Sequence, residues 1–232
     1  MKNKNSKRIV FLCSGGGGNL RFIKAALEKG WFGQAVLTAI LTDRECGAND
    51  YARLHGIDEK LIDFSAEGQL DLIDLLNFYE PDIVITTVHR ILNEAVVEKF
   101  SGRLINLHYS LLPAFAGFIG SRPVKEALAY GAKLVGVTVH LVDESLDGGK
   151  PLMQVAIPVK SLDDLEILMD LQFRCGCLSL ASVINTHLFD DRKLANATEE
   201  VVKIKDRYCL FSNKINTIFD IQNEVFWDAI KS

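Results

Sequence analysis

The stretch "RIVFLCSGGGGNLRFIKAALEKG" (residues 8–30) contains the pattern that predicts the fold. A strand is predicted at residues 8–13, because the residues after Arg8 form a continuous apolar run with β-branched side chains. Such a run is typical of a strand buried on both faces of a parallel sheet. After the glycine run, apolar residues from Leu20 to Leu27 recur at helical spacing, and Gly30 is suited to a helix C-cap. The stretch therefore predicts a strand, a tight turn and a helix, as in the first half of a βαβ unit.

The same alternation continues along the chain. Further strands are predicted at 35–43, 82–88, 103–107, 134–142 and 151–159, and further helices at 48–56, 67–81, 92–100, 121–131 and 162–187. This order predicts an α/β fold with a doubly wound, mostly parallel, Rossmann-like sheet. The pattern weakens from about Leu188, where a hairpin and a terminal helix are expected. We therefore predict a domain over residues 1–187 and a C-terminal extension over residues 188–232 that packs on the same domain.

Composition and charge exclude several classes of protein. Apolar residues make up 48% of the chain and charged residues 24%, which is ordinary for a soluble globular protein. A net charge of −4, without a basic patch interleaved with aromatic residues, argues against nucleic-acid binding. The apolar run near the start, "IVFLC" (residues 9–13), is too short for a signal peptide or a membrane span. We therefore expect a cytoplasmic protein with neither nucleic-acid nor membrane partners.

The cysteines point to the same compartment. There are five of them, an odd number without the spacing of a disulfide scaffold, so reduced thiols are expected. The "CGC" stretch (residues 175–177) is one residue short of the usual metal-binding spacing and has no second pair. We interpret it as small apolar residues on a helix, and we predict no metal site.

Four loops carry the candidate functional residues, because ligands of such sheets bind outside the carboxyl ends of the strands. The loops are "SGGGGN" (14–19), "HRIL" (89–92), "NLHYSLLP" (106–113) and "DESLDGG" (143–149). The glycine run lets backbone N–H groups approach an anion at the start of the helix that Asn19 is expected to open. A dinucleotide fingerprint would require glycine at position 20, where this chain has Leu20. Asp43 would be an acceptable ribose partner, so a nicotinamide-dependent oxidoreductase remains an alternative.

Asn106 and His108 are two residues apart at a strand end, so they point to the same side if the strand geometry persists. Asp147, in a glycine-bordered loop, is a plausible carboxylate partner for the imidazole. Such a pair holds an imidazolium for proton transfer or for stabilising an oxyanion, and the amide can donate to the same oxyanion. No serine or cysteine occupies a strained nucleophile elbow. The three groups therefore suit direct attack of an amine on a carbonyl.

Two stretches resemble the signatures of a known family. "INLHYSLLPAFAG" (105–117) resembles the N-x-H-x-S-L-L-P-x-x-x-G signature of the folate-dependent formyltransferases, and "GVTVHLVDESLDGGKPLMQ" (136–154) resembles their second signature. The similarity runs from about Lys7 to Ile184 and is strongest to the glycinamide ribonucleotide formyltransferase branch. It implies a Rossmann-like sheet, a formyltransferase catalytic domain over residues 1–187, and 10-formyltetrahydrofolate as co-substrate. The implied reaction moves the formyl group to a primary amine on a small, phosphorylated acceptor.

The resemblance also implies a role for individual residues. The catalytic residues would be Asn106, His108 and Asp147. The residues around the pterin of the folate would be Arg90, Ile91, Leu92, Val142, Asp143 and Glu144. The turn that receives the acceptor's phosphate would be Gly16, Gly17, Gly18 and Asn19. A homodimer is a further expectation.

Several residues depart from the family pattern, mostly on the acceptor side. The usual proline after the catalytic histidine is Tyr109, and the usual methionine before the Arg-Ile-Leu stretch is His89. Residues 63–71 offer no Lys or Arg for the acceptor phosphate, and a glutamate that contacts the acceptor is replaced by Phe173, whose ring could stack on a base. These departures predict weak turnover of glycinamide ribonucleotide. They leave two acceptors open, glycinamide ribonucleotide of purine biosynthesis and an amino-sugar nucleotide of surface polysaccharide synthesis.

Overall fold

The computed structural model describes residues 6–65, 67–189, 198–215 and 220–231. The chain divides into two compact units. The first contains Met1–Asn106 and Leu141–Ser145, and the second contains Leu107–His140 and Leu146–Ser232. The predicted division into residues 1–187 and 188–232 was drawn where the alternating sequence pattern weakens, whereas the two units are defined by compactness of the folded chain. The predicted division therefore stays a prediction.

The first unit is a parallel α/β sheet. Its elements are β1 (Lys7–Cys13), α1 (Gly18–Glu28), β2 (Ala35–Thr42), α2 (Gly47–Leu54), β3 (Asp58–Leu61), α3 (Gly68–Tyr79), β4 (Ile83–Thr87), α4 (Glu94–Lys99) and β5 (Leu104–His108), whose last two residues belong to the second unit. The strands lie in the order β3-β2-β1-β4-β5, and every pair is parallel. The Rossmann-like, mostly parallel sheet predicted from the alternating pattern is confirmed.

The core of the first unit explains why its strands were readable from the sequence. Residues 9–12 of β1 and 83–85 of β4 are fully buried, as expected for strands covered on both faces. Leu72 and Leu76 from α3 and Phe100 belong to one hydrophobic cluster, which also contains Val10, Leu12 and Val84 of these strands. Because strands that are covered on both faces require long apolar runs, these strands could be predicted from the apolar runs in the sequence.

Two local predictions for this unit were wrong. Strand β3, "DEKL" (58–61), was not predicted, because it is a sheet-edge strand of mostly exposed polar residues without an apolar run. Helix α1 begins at Gly18 and not at Asn19, since Gly17 is its N-cap in the left-handed conformation, with φ of 77°. Glycine takes this conformation without the steric cost of a Cβ, so the turn closes one residue earlier than expected.

The second unit is antiparallel. Its remaining elements are α5 (Arg122–Tyr130), β6 (Leu134–Leu141), β7 (Pro151–Pro158), α6 (Leu165–Phe189), β8 (Glu200–Ile204), β9 (Arg207–Phe211) and α7 (Glu224–Lys231). Strand β7 pairs with β6 on one side and with β9 on the other, and β9 pairs with β8. The predicted C-terminal hairpin and terminal helix are both present, and the hairpin extends the sheet of this unit.

Helix α6 is long and apolar enough to cross a membrane by length and composition alone. However, 72% of its most apolar window is buried inside the structure, as in the core helix of a folded domain. Cys175 and Cys177 lie buried on this helix, as the interpretation of "CGC" predicts. Within the described ranges, no group of three or more His, Cys, Asp or Glu side chains could hold a metal ion.

Candidate functional site

The glycine turn lies at the carboxyl end of β1 and leads directly into α1. Gly17 has no side chain to accept hydrogen bonds from the first N–H groups of the helix, and the first turn of α1 contains no acidic residue. A Cβ on Gly17 would lie 3.3 Å from Leu20 and 3.4 Å from Ala48. The backbone at Gly17 is therefore packed closely, while the positive end of the helix dipole suits an anion. Gly16, Gly17, Gly18 and Asn19 all belong to this turn or to the first residues of the helix.

Residues 90–92 follow β4 and are held by the side chain of Gln69. Its Nε2 donates to the carbonyl oxygen of Ile91 at 3.2 Å, and its Oε1 accepts from the backbone N–H of Asn93 at 2.6 Å. The side chain of Ile91 is 72% exposed. The segment therefore presents an apolar side chain beside backbone groups whose positions are fixed, which suits the face and edge of a heterocyclic ring.

The structure brings part of the predicted folate site together. Leu92 and Val142 pack against the same hydrophobic cluster of the first unit. Val142 also donates its N–H to the carbonyl of Leu104 at 2.9 Å, so Val142 lies beside β5. Asp143 and Glu144 are exposed.

Asp43 forms the centre of a charged cluster in the first unit. Its side chain is only 1% exposed. Arg44 donates to both carboxylate oxygens at 2.7 and 3.1 Å, and Arg90 donates from Nε to Oδ2 at 3.1 Å. The Ser14 hydroxyl is a third donor. Asp43 is therefore fully engaged by protein donors, and the nicotinamide alternative loses the ribose partner on which it depended.

The lowered pKa of Asp43 leads to a prediction for how the stability of the folded protein changes with pH. Burial alone would raise the pKa of the Asp43 carboxyl, but hydrogen bonds from Arg44, Ser14 and Arg90 outweigh it and lower that pKa from 3.8 to about 2. A folded-state pKa below the unfolded one stabilises the protein above about pH 4, and this contribution is lost as the pH falls to about 2. We expect Asp43→Asn to lower the melting temperature near neutral pH, and we expect the difference from wild type to shrink between these two pH values. A difference that stays constant in thermal melts across this range would contradict the assignment.

His108 and Asp147 lie together in the second unit. The imidazole is 8% exposed, and its Nδ1 is 3.3 Å from Oδ2 of Asp147. Its Nε2 is 3.1 Å from the carbonyl oxygen of Phe115. Both ring nitrogens thus face oxygens that can only accept a hydrogen bond, and only a doubly protonated imidazolium can donate to both. The ring is therefore held between the Asp147 carboxylate and the Phe115 carbonyl.

Asp147 is held by its own backbone and by a second loop. It adopts a left-handed conformation with φ of 54°, and its Oδ2 accepts from the backbone N–H of Gly117 at 2.7 Å. A Cβ on Gly117 would lie 2.9 Å from the side chain of Leu146. A second imidazole is also close, since Nε2 of His140 is 3.9 Å from Oδ1 of Asp147. The sequence predicted His140 only as a strand residue, and its spacing from Asp147 contains no signal of this proximity.

Two polar side chains fix the loop that follows His108, the buried Thr138 and the half-buried Gln154. Thr138 donates from its hydroxyl to the carbonyl of Ser110 at 2.8 Å and accepts from the N–H of Leu112 at 3.1 Å. Gln154 donates to the carbonyl of Leu112 at 2.9 Å, next to the cis peptide bond between Leu112 and Pro113. Sequence reasoning did not find Thr138 or Gln154, because single polar residues on strands carry no periodic signal.

Asn106 lies in β5, in the first unit, where it is in register with Thr86 of β4. It is half-buried. Its predicted role at an oxyanion stays a prediction.

Phe173, the expected base-stacking residue, meets Trp227 of α7 edge-on with ring centroids 6.2 Å apart. Packing against the C-terminal helix thus accounts for an aromatic side chain at this position.

Comparisons with known proteins give the family. Residues 7–173 match the formyl transferase family. The chain is 34% identical over 170 residues to the chloroplastic phosphoribosylglycinamide formyltransferase of Vigna unguiculata, covering 70% of this chain and 54% of that protein. It is 37% identical over 167 residues to phosphoribosylglycinamide formyltransferase of Mycobacterium tuberculosis, covering 69% of this chain and 75% of that protein. The crystal structure of phosphoribosylglycinamide formyltransferase from Bacillus halodurans superposes with a TM-score of 0.74 at 25% identity, covering 81% of this chain and 98% of that one. The chain belongs to the formyl transferase family.

Proposed function

We propose that this protein transfers a formyl group from 10-formyltetrahydrofolate to the primary amine of a phosphorylated small molecule, with glycinamide ribonucleotide as the acceptor. The observation that carries the proposal is the His108–Asp147 pair, at 3.3 Å, in a chain whose signatures belong to this family. No covalent enzyme intermediate is needed, because the acceptor amine is itself the nucleophile.

The reaction proceeds by addition and elimination at the formyl carbon. The amine nitrogen attacks this carbon, and the carbonyl oxygen becomes an oxyanion. The Asn106 amide donates to the oxyanion, which is where charge develops in the transition state. The Nε2–H of the His108 imidazolium donates to it as well, with the oxyanion replacing the Phe115 carbonyl as the acceptor. The bond from the formyl carbon to the folate nitrogen then breaks, and a proton from the attacking amine is delivered to that nitrogen. Asp147 pairs with the imidazolium and assists this proton transfer.

The choice of acceptor rests on the relatives and on the glycine turn. The relatives are named for glycinamide ribonucleotide, and the N-terminus of α1 suits a phosphate. An amino-sugar nucleotide remains the second candidate, since residues 63–71 provide no cation for a phosphomonoester. The other reason for expecting an amino-sugar nucleotide was that Phe173 could stack on a base, and the edge-on contact of Phe173 with Trp227 offers a structural explanation for that ring.

Location and assembly are part of the proposal. We place the enzyme in the cytoplasm, which the five free thiols support. A homodimer stays a prediction.

Calorimetry and steady-state kinetics test the function together. A non-reactive analogue of 10-formyltetrahydrofolate should bind with one site per chain in the absence of acceptor, whereas reduced nicotinamide dinucleotides should not bind. With the natural donor, glycinamide ribonucleotide should be formylated with kcat/KM of about 10⁴ M⁻¹s⁻¹ or more, the range of ordinary biosynthetic enzymes. The departures from the family pattern in the sequence predict weak turnover instead, so this measurement decides between the two expectations. Absence of folate binding at millimolar analogue would exclude the proposed reaction. Preference for an amino-sugar nucleotide by tenfold or more would replace the acceptor and keep the reaction.

A further inference from the structure

The Asp43 carboxylate joins three loops at the carboxyl ends of β1, β2 and β4. Asp43 follows β2, Ser14 follows β1, and His89 and Arg90 follow β4. The Ser14 hydroxyl donates to Asp43 and accepts the backbone N–H of His89 at 2.8 Å. Arg90 reaches the same carboxylate at 3.1 Å. The loop after β4 is thus tied to Asp43 twice, once through a side chain and once through Ser14.

The burial of this carboxylate shows that its bonds are essential to the local structure. Its side chain is 1% exposed, although the side chains of Arg44 and Arg90 are 51% and 55% exposed. A carboxylate removed from water is strongly unfavourable unless charged or polar donors replace the lost hydration. Hydrogen bonds to an ionised group are roughly twice as strong as neutral ones. The buried Asp43 carboxylate therefore holds the guanidinium groups of both Arg44 and Arg90.

Segment 90–92 is consequently anchored at both ends. Arg90 is held by Asp43, and the backbone around Ile91 and Leu92 is held by Gln69, which bonds the carbonyl of Ile91 and the N–H of Asn93. Between these anchors the Ile91 side chain is exposed. A ring that binds against this segment therefore meets a surface whose conformation is set before binding, and this lowers the entropy cost of binding.

We propose that Asp43 is a positioning residue for the folate donor, acting through Arg90 and Ser14 to hold residues 89–92 in the conformation that binds the pterin. This inference rests on the proposed function, which places the folate against residues 90–92. Asp43 itself does not contact the folate, so its loss should weaken donor binding while leaving the chemical step largely intact.

A double-mutant cycle between Asp43 and Arg90 tests the inference. The dissociation constant of the folate analogue is measured for wild type, Asp43→Ala, Arg90→Ala and the double variant. We expect Asp43→Ala to weaken binding roughly tenfold, the scale of losing one hydrogen bond to a charged group. We also expect Asp43→Ala to cost less affinity when it is added to Arg90→Ala than when it is made in wild type, because only the link through Ser14 is then left to lose. The kcat at saturating donor should stay within about threefold of wild type. If the alanine variant does not fold, Asp43→Asn takes its place in the binding measurement, because asparagine keeps the shape of the side chain.

Arg44→Ala is the matched control. It removes a guanidinium from the same carboxylate but leaves the Arg90 bond, so analogue affinity should stay within about twofold of wild type. Unchanged affinity in both Asp43 variants would overturn the inference, and so would fully additive effects of the Asp43 and Arg90 substitutions. Failure of wild type to bind the analogue would instead refute the proposed function, so the two failures can be told apart.

Discussion

Replacing Asp147 by asparagine is expected to lower kcat by roughly a hundredfold or more while the protein stays folded. The asparagine has nearly the same shape, and its amide oxygen can still accept the N–H of Gly117 that Asp147 binds at 2.7 Å. The negative charge 3.3 Å from Nδ1 of His108 is lost, however. Without it the imidazolium is less stable, so His108 is a poorer donor to the oxyanion.

The effect should appear in kcat more than in donor affinity, because the proposed mechanism has the imidazolium acting where charge develops and not on the bound ground state. The Kd of the folate analogue measures this difference directly. Asp74→Asn is a suitable control, since it removes an exposed carboxylate of α3 and should leave kcat unchanged. A kcat for Asp147→Asn within threefold of wild type would remove Asp147 from the mechanism.

Replacing Gly136 by alanine is expected to lower the free energy of unfolding by about 3 kcal/mol or more, at the upper end of overpacking costs. An alanine Cβ would lie 2.0 Å from the carbonyl oxygen of Val155 on the paired strand β7, and 2.8 Å from the side chain of Leu111. A backbone oxygen cannot rotate away, so the strands must separate. Thermal unfolding should show a melting temperature about 6–12 °C lower, if the variant folds at all.

The same substitution should also reduce activity. Leu111 belongs to the loop after His108, and the Gly136 carbonyl accepts from Gln172 at 2.6 Å, so movement of β6 disturbs both. Gly15→Ala is the stability control, because nothing lies within 4 Å of its Cβ position and its φ is not left-handed. We expect it to change the unfolding free energy by at most about 0.5 kcal/mol. An equally stable Gly136→Ala protein would show that the strands adjust more readily than the β6–β7 geometry implies.

Some features of the site were visible in the sequence because they are local. The turn after β1 contains four consecutive glycines, and the predicted catalytic loop combines Asn106, His108 and the following proline within a few positions. The buried strands of the first unit were visible for the same reason, since a strand covered on both faces must be apolar along its whole length. The partnership of His108 with Asp147 was predicted from chemical compatibility, and the structure places the two side chains together.

The tertiary structure decided the features that depend on distant residues. Arg90 and Asp43 are 47 positions apart, and Ser14 and His89 are 75 apart, so no spacing rule connects them. The sequence suggested Asp43 as a ribose partner, and the structure shows it buried beneath two arginines. The approach of His140 to Asp147 and the packing of Phe173 on Trp227 are equally invisible along the chain. Periodicity records whether a residue is covered, because burial selects for apolar side chains at regular intervals. Periodicity does not indicate which distant residue packs against a given side chain, because many partners satisfy the same hydrogen-bonding and packing requirements. Only the folded chain selects among them.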